Sequence, residues 1–201
     1  IHAPAALAVA AVMLPERGRP TLGDEIPASA ACGSMDALAK GTWDGFQLFL
    51  NIIAMLISFL AVVKLVNIGL GFAPDVLGAP LTLERMLGWV MSPVAWLLGL
   101  PWAEAGVAGG LLGTKLVLNE FIAFLNMSQL PEGTLGPRSR LILAYAMCSF
   151  ANFGSVGIII GGLGALCPER RSEIAGLSLK ALAAGAIASL MTGAVVGVLF
   201  P

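Results

Sequence analysis

The stretch AGGLLGTKLVLNEFIAFL, residues 108–125, constrains this chain most, because it carries Lys115, Asn119 and Glu120 inside an otherwise apolar run. A charged side chain at a bilayer centre costs roughly 2.5–3.5 kcal/mol on insertion scales, so it normally faces a cavity or a partner and points to function. That argument holds only in a membrane, and composition decides the matter. The hydrophobic fraction is 58% and the charged fraction 11%, against about 25% charged residues in a typical soluble domain. Too few charges are present to coat a water-facing surface. The chain therefore reads as an all-α integral membrane protein, multi-pass in the lipid bilayer. A second polar interruption, SFANFGS at 149–155, lies in a later apolar segment. The two breaks are expected to face each other and form a polar site.

Several classes of function are excluded. A net charge of −1 supplies no basic field for nucleic acid. The single histidine, His2, argues against histidine-centred metal sites and serine–histidine catalysis. Cys32, Cys148 and Cys167 are odd in number, widely spaced and without a CxxC, so they suggest neither a disulfide framework nor zinc. No nucleophile is paired with a base, so an intramembrane enzyme is not expected, and neither a metal site nor a cofactor is expected. There is no initiating Met, basic leader or cleavage site. The chain is thus expected to be the C-terminal part of something longer.

Residues 1–14 read as the end of a helix, and 15–45 as a polar loop followed by an interfacial helix, with Ser34 as a cap and Trp43 at the membrane entrance. Residues 46–72 are the longest apolar run and long enough to span. Gln47, Asn51 and Ser58 share one face there, either bonding neighbouring helices or serving transport. Residues 81–100, with Pro93, Trp89 and Trp96, read as an interfacial helix. Residues 104–130 read as a re-entrant hairpin, two short arms meeting at Asn119 and Glu120, because irregular backbone at membrane depth is tolerated where it lines a cavity. Residues 138–163 read as a transmembrane helix broken at Asn152, Gly154 and Ser155, the kind of break that exposes helix ends to a ligand. Residues 174–200 are the last transmembrane helix, with Ala181, Gly185, Ser189, Gly193 and Gly197 spaced for close packing. Arginines flank both ends of the broken helix, at 138 and 140 and at 170 and 171, so charge alone leaves the orientation open.

Four blocks carry a resemblance. GTKLVLNEFIAFL follows the pattern G-x-K-x-x-x-N-E-F, and CSFANFGSVGIIIGGLG follows C-G-F-A-N-F-x-S with its glycine-rich continuation. HAPAALAVAAVMLPE and LGWVMSPVAWLLGLPWAEA precede them in matching order. Nearly the whole chain thus resembles the C-terminal half of the concentrative nucleoside transporters. The resemblance implies spanning helices with a re-entrant helical hairpin and a discontinuous helix. It also implies nucleoside symport into the cell coupled to sodium or proton, a homotrimer, and a transport domain that moves like an elevator against a scaffold. By motif position, Glu120, Asn152 and Ser155 would bind ribose hydroxyls and Phe150 would line the site. Asn119 and Lys115 are further site-lining candidates, and on their own chemistry Asn119 shapes the hairpin tip while Lys115 stabilises it or snorkels. Two departures stand out: His2 replaces the usual serine, and Ser149 replaces the glycine before Phe150. Nucleobase contacts and most of the cation site would come from upstream of Ile1. This chain would then hold the ribose half of a site and would not transport by itself.

Alternatives remain for each residue. Glu120 could ion-pair with Lys115 or with an upstream basic group, and Asn152 and Ser155 could be interhelical glue. At the level of function, the alternatives are another hairpin-containing secondary transporter for a different small polar substrate, or a non-transporting scaffold fragment. A transporter of anions would favour cationic donors at the tip, which Glu120 opposes.

Overall fold

The computed structural model describes residues 2–18, 32–76 and 78–200, with the Met55 side chain excepted. Part of the expected polar loop, 19–31, lies outside the described residues. Helices α1 (His2–Met13), α2 (Ser34–Leu70), α3 (Leu83–Leu97), α4 (Trp102–Val117), α5 (Glu120–Ser128), α6 (Pro137–Met147), α7 (Phe153–Leu166) and α8 (Arg171–Leu199) follow one another, and a 3₁₀ turn at Pro168–Arg170 precedes the last. No β-strand occurs among the described residues, where an isolated bridge joins Val76 and Ala79. Helix α2 and the stretch Pro168–Leu199 are long and apolar enough to cross a bilayer.

Helix α2 has 37 residues, about 55 Å at 1.5 Å per residue. It covers in one continuous helix both the segment read as interfacial and the segment read as a span. One side of it packs on α7, while Phe49, Ile57 and Leu65 are exposed. Ser58 donates to Ala54 O within its own helix, 2.8 Å, so its hydroxyl is satisfied without a neighbouring helix. The far end is tied to α3: Asn67 Nδ2 donates to both Glu84 oxygens, at 3.1 and 3.0 Å, and its Oδ1 accepts from Leu83 N at 2.8 Å.

Helices α3 and α4 form a tightly packed pair joined through Gly99, whose φ of +98° an L side chain rarely adopts. A Cβ on Gly109 would lie 2.5 Å from Gly88 O, and one on Gly113 would lie 2.6 Å from Gly88 N. The backbones therefore touch, and Gly88, Met91 and Ala95 are buried against α4.

After Val117 the chain turns through Leu118 and Asn119 into α5, and then comes back: Gly136 N donates to Glu104 Oε1 in the first turn of α4, at 3.2 Å. Helices α4 and α5 are thus two arms of a helical hairpin. With 16 and 9 residues they are about 24 and 14 Å long, each short of the roughly 30 Å hydrocarbon core. Helix α6 ends at Met147, residues 148–152 are non-helical, and α7 starts at Phe153.

Most of the small-residue face of α8 is used as its spacing suggests. Ser189, Gly193 and Gly197 are buried, with Gly193 against Ala146 and Gly197 against Ile142, whereas Ala181 at the other end is exposed. Ile142, Leu143 and Met147 of α6 join Met91, Ala95, Ala108 and Leu112 in one apolar core. Arg138 fastens its edge, donating to Gly99 O (2.6 Å), Gly197 O (2.6 Å) and Phe200 O (3.0 Å), carbonyls at the ends of α3 and α8. Arg138→Met strands all three carbonyls. We expect it to destabilise the fold by about 2 kcal/mol, less than the sum of three buried bonds because part of the guanidinium is exposed. Thermal melting in detergent checks this, and an unchanged midpoint would contradict the clamp.

Candidate functional site

The site is built on two helix starts and one buried lysine. Asn119 precedes α5, and its Oδ1 accepts from Ile122 N at 2.9 Å, an N-cap that ends the turn and starts the second arm. Glu120 follows as the first residue of α5, where the positive end of the helix dipole favours a carboxylate. Its Oε2 is buried and has no hydrogen-bond partner among the described residues.

Asn152 plays the same part for α7. Its Oδ1 accepts from Ser155 N (2.9 Å), while Ser155 Oγ accepts from Asn152 N (3.1 Å) and lies 2.6 Å from Asn152 O. This is a reciprocal capping box. Both residues are buried, at 5% and 8% exposure. The Ser155 hydroxyl is thus engaged at the helix start, with its proton given to Asn152 O. Asn152 keeps its Nδ2 donor free of any bond to the described residues. Phe150 is 77% exposed and packs little against this chain.

Lys115, in the last turn of α4, is only 2% exposed. Its Nζ donates to Ser149 Oγ at 2.8 Å and to Ala151 O at 2.9 Å, both in the α6–α7 break. Glu120 lies within its electrostatic reach, but no ion pair closer than 4.0 Å joins them. The ion-pair alternative for Glu120 therefore fails as far as Lys115 is concerned. The interhelical alternative for Asn152 and Ser155 gives way to a local one, since their bonds stay within one turn. No direct bond joins Glu120 to Asn152 or Ser155, so the hairpin tip and the break meet through Lys115. Among the described residues, no three of His, Cys, Asp and Glu gather where a metal could bind.

Sequence reasoning did not find Ser149 and Ala151 as the lysine's acceptors. One signal was present: a lysine inside an apolar run must find acceptors, and Ser149 stands where the motif carries glycine.

All-helical, with helices interrupted at polar residues, the chain has the build of a secondary transporter. Residues 1–197 match the family described as Na+ dependent nucleoside transporter C-terminus. The chain is 46% identical over 168 residues to the uncharacterized transporter YutK of Bacillus subtilis, covering 83% of this chain and 41% of that protein. It is 35% identical over 217 residues to sodium/nucleoside cotransporter 1 of Rattus norvegicus, covering 98% of this chain and 34% of that one. The chain therefore belongs to the sodium-dependent nucleoside transporter family, one of transporters rather than enzymes, and membership implies a membrane location. It spans about half or less of the length of these relatives.

Among solved structures, an outward-facing form of CNTnw superposes with a TM-score of 0.85 at 35% identity, over 99% of this chain and 49% of that one. Its inward-facing substrate-bound form gives 0.71 at 36% identity, over 97% and 47%. Identity is nearly equal in the two, so the difference lies in how the helices are arranged. The arrangement here is farther from the inward-facing form than from the outward-facing one, and an intermediate form of CNTnw matches it equally well, at 0.85.

Proposed function

We propose that the full protein carries nucleosides into the cell by symport with sodium or a proton, and that this chain supplies the ribose half of the binding site. The observation that carries the reading is the buried Oε2 of Glu120, without a partner among the described residues, at a helix start in an apolar chain. A carboxylate accepts hydrogen bonds only, and a pair of sugar hydroxyls supplies the donors it lacks. A buried site built this way rejects analogues without those hydroxyls, because its own groups are then left unpaired.

Glu120 accepts from the hydroxyls, Asn152 donates its free Nδ2, and exposed Phe150 lines the sugar or the base. Ser155 contributes through its remaining lone pair and by holding Asn152. The helical hairpin of α4 and α5 is re-entrant on this reading, its tip at membrane depth. The contrast in likeness to outward- and inward-facing CNTnw supports alternating access by rearrangement of these same helices. Homotrimeric assembly and multi-pass insertion in the cell membrane belong to the same proposal.

Reconstitution of the full-length protein in liposomes tests it. Labelled uridine should accumulate inside when a sodium or proton gradient is imposed and should not when both are collapsed. No accumulation under either gradient would overturn the reading. A second measurement separates cap from ligand. Serine is as good an N-cap as asparagine, so Asn152→Ser should keep the start of α7 while deleting the amide. We expect about a tenfold loss of uridine affinity with an unchanged melting midpoint. Unaltered affinity would remove Asn152 from the site.

A further inference from the structure

We propose that Lys115 is a positioning residue, a latch that holds the α6–α7 break against the hairpin and so sets the spacing between Glu120 and Asn152. The inference rests on the nucleoside reading above, but its observations are separate from it. Residues 148–152 are non-helical, and their backbone bonds are short-range: Ser149 N donates to Met147 O (2.8 Å) and Asn152 N to Phe150 O (3.0 Å). Such a segment has little of its own to fix where it sits relative to another helix. Lys115 supplies that. Its ammonium takes Ser149 Oγ and Ala151 O together, at 2.8 and 2.9 Å. Ala151 immediately precedes Asn152, and Lys115 lies in the turn of α4 that leads to Glu120. The lysine is thus the bonded link between the two halves of the site.

Other roles fit less well. A buried ammonium at 2% exposure with two acceptors in the break faces protein, not a ligand. Lys115 lines a small recess of about 10 Å³ with Met91, Leu112 and Ser189. That volume is at the limit of what one water needs. Ser149 sharpens the case, because the motif has glycine there and this chain adds a hydroxyl that the lysine uses. Without the ammonium, two acceptors at the break lose their donor and the break is free to shift. A sugar could then no longer engage Glu120 and Asn152 at once.

The test compares uridine with 2′,3′-dideoxyuridine, which lacks the 2′ and 3′ hydroxyls, using full-length wild type, Lys115→Met and Ser149→Ala in proteoliposomes. Loss of the latch should raise the KM for uridine about tenfold or more in Lys115→Met and about threefold in Ser149→Ala. Dideoxyuridine should change less than about twofold on the same argument, so the preference for the ribonucleoside collapses. Ser149→Ala should add little in the Lys115→Met background, because the two act through one bond. An equal loss of both nucleosides would overturn the latch, since a direct contact or a general structural role would produce that. Retained ribose preference in both variants, or fully additive effects, would overturn it as well. Where Lys115→Met does not fold, the milder Ser149→Ala decides by itself. Wild type that transports uridine while the variants keep their preference refutes the latch alone. Wild type that takes up no nucleoside refutes the nucleoside reading, and the latch with it.

Discussion

In the full-length protein, Glu120→Gln is expected to weaken uridine binding about a hundredfold while leaving the fold in place. A hydrogen bond to a charged group contributes roughly 1.5–3 kcal/mol, and the carboxylate offers acceptors to two sugar hydroxyls. Glutamine keeps one acceptor and turns the other into a donor, so one bond is lost and the survivor is weakened to a neutral one. Together these amount to about 3 kcal/mol, or two powers of ten. The side chain keeps its shape, Asn119 still caps α5, and the lost charge–dipole interaction is worth only about 0.3–1 kcal/mol. Calorimetric titration with uridine and a thermal melt of the same sample read the two effects separately. Unchanged affinity would sink the ribose role of Glu120. A collapsed melt would make the residue structural instead.

Gly109→Ala should be strongly destabilising. Its Cβ would meet Gly88 O and Ser92 Oγ at 2.5 Å and Ser92 N at 2.6 Å, two of them backbone atoms that no rotamer change can move aside. Overpacking in a core typically costs about 1–3 kcal/mol, and a backbone clash belongs at or above the upper end. Helices α3 and α4 would have to part, taking Met91 and Leu112 out of contact in the core beneath them. Gly106 is the control. It sits on the same helix with nothing within 4 Å of an added Cβ, and alanine is the better helix former by about 0.5–1 kcal/mol. Gly106→Ala should therefore melt at or above the wild-type midpoint while Gly109→Ala melts well below it. Equal midpoints would mean that the two helices do not touch there.

The helix starts were legible because caps are local. Asn119 and Asn152 each stand just before an apolar helix, and each bonds the backbone three residues on, a spacing visible in the bare sequence. The small-residue face of α8 was legible for a similar reason, since a period of four on a helix makes a face whatever lies opposite. Other features were not. Ser58 looked like a bond between helices and is satisfied four residues back. For Ser155 the sequence left bonding between helices open, and its hydroxyl instead bonds Asn152 within one turn. Residue type and depth do not say which of several nearby acceptors a hydroxyl will take.

The acid at Glu120 shows where the division falls. The sequence by itself pointed to a helical membrane protein with two polar interruptions, a charged group at one of them. These follow from composition, periodicity and bonds spanning three or four residues, which need no knowledge of the fold. The sequence placed the second interruption at Asn152, Gly154 and Ser155, whereas the structure has residues 148–152 non-helical and Gly154 and Ser155 inside α7. Only the tertiary structure decided that Glu120 has a buried oxygen without a partner among the described residues, and that Lys115 turns its charge to Ser149 and Ala151 rather than to that carboxylate. Those residues lie 34 and 36 positions along the chain from the lysine. Which acceptor a buried ammonium finds at that separation depends on how α4 packs against the broken helix, and no local pattern encodes it.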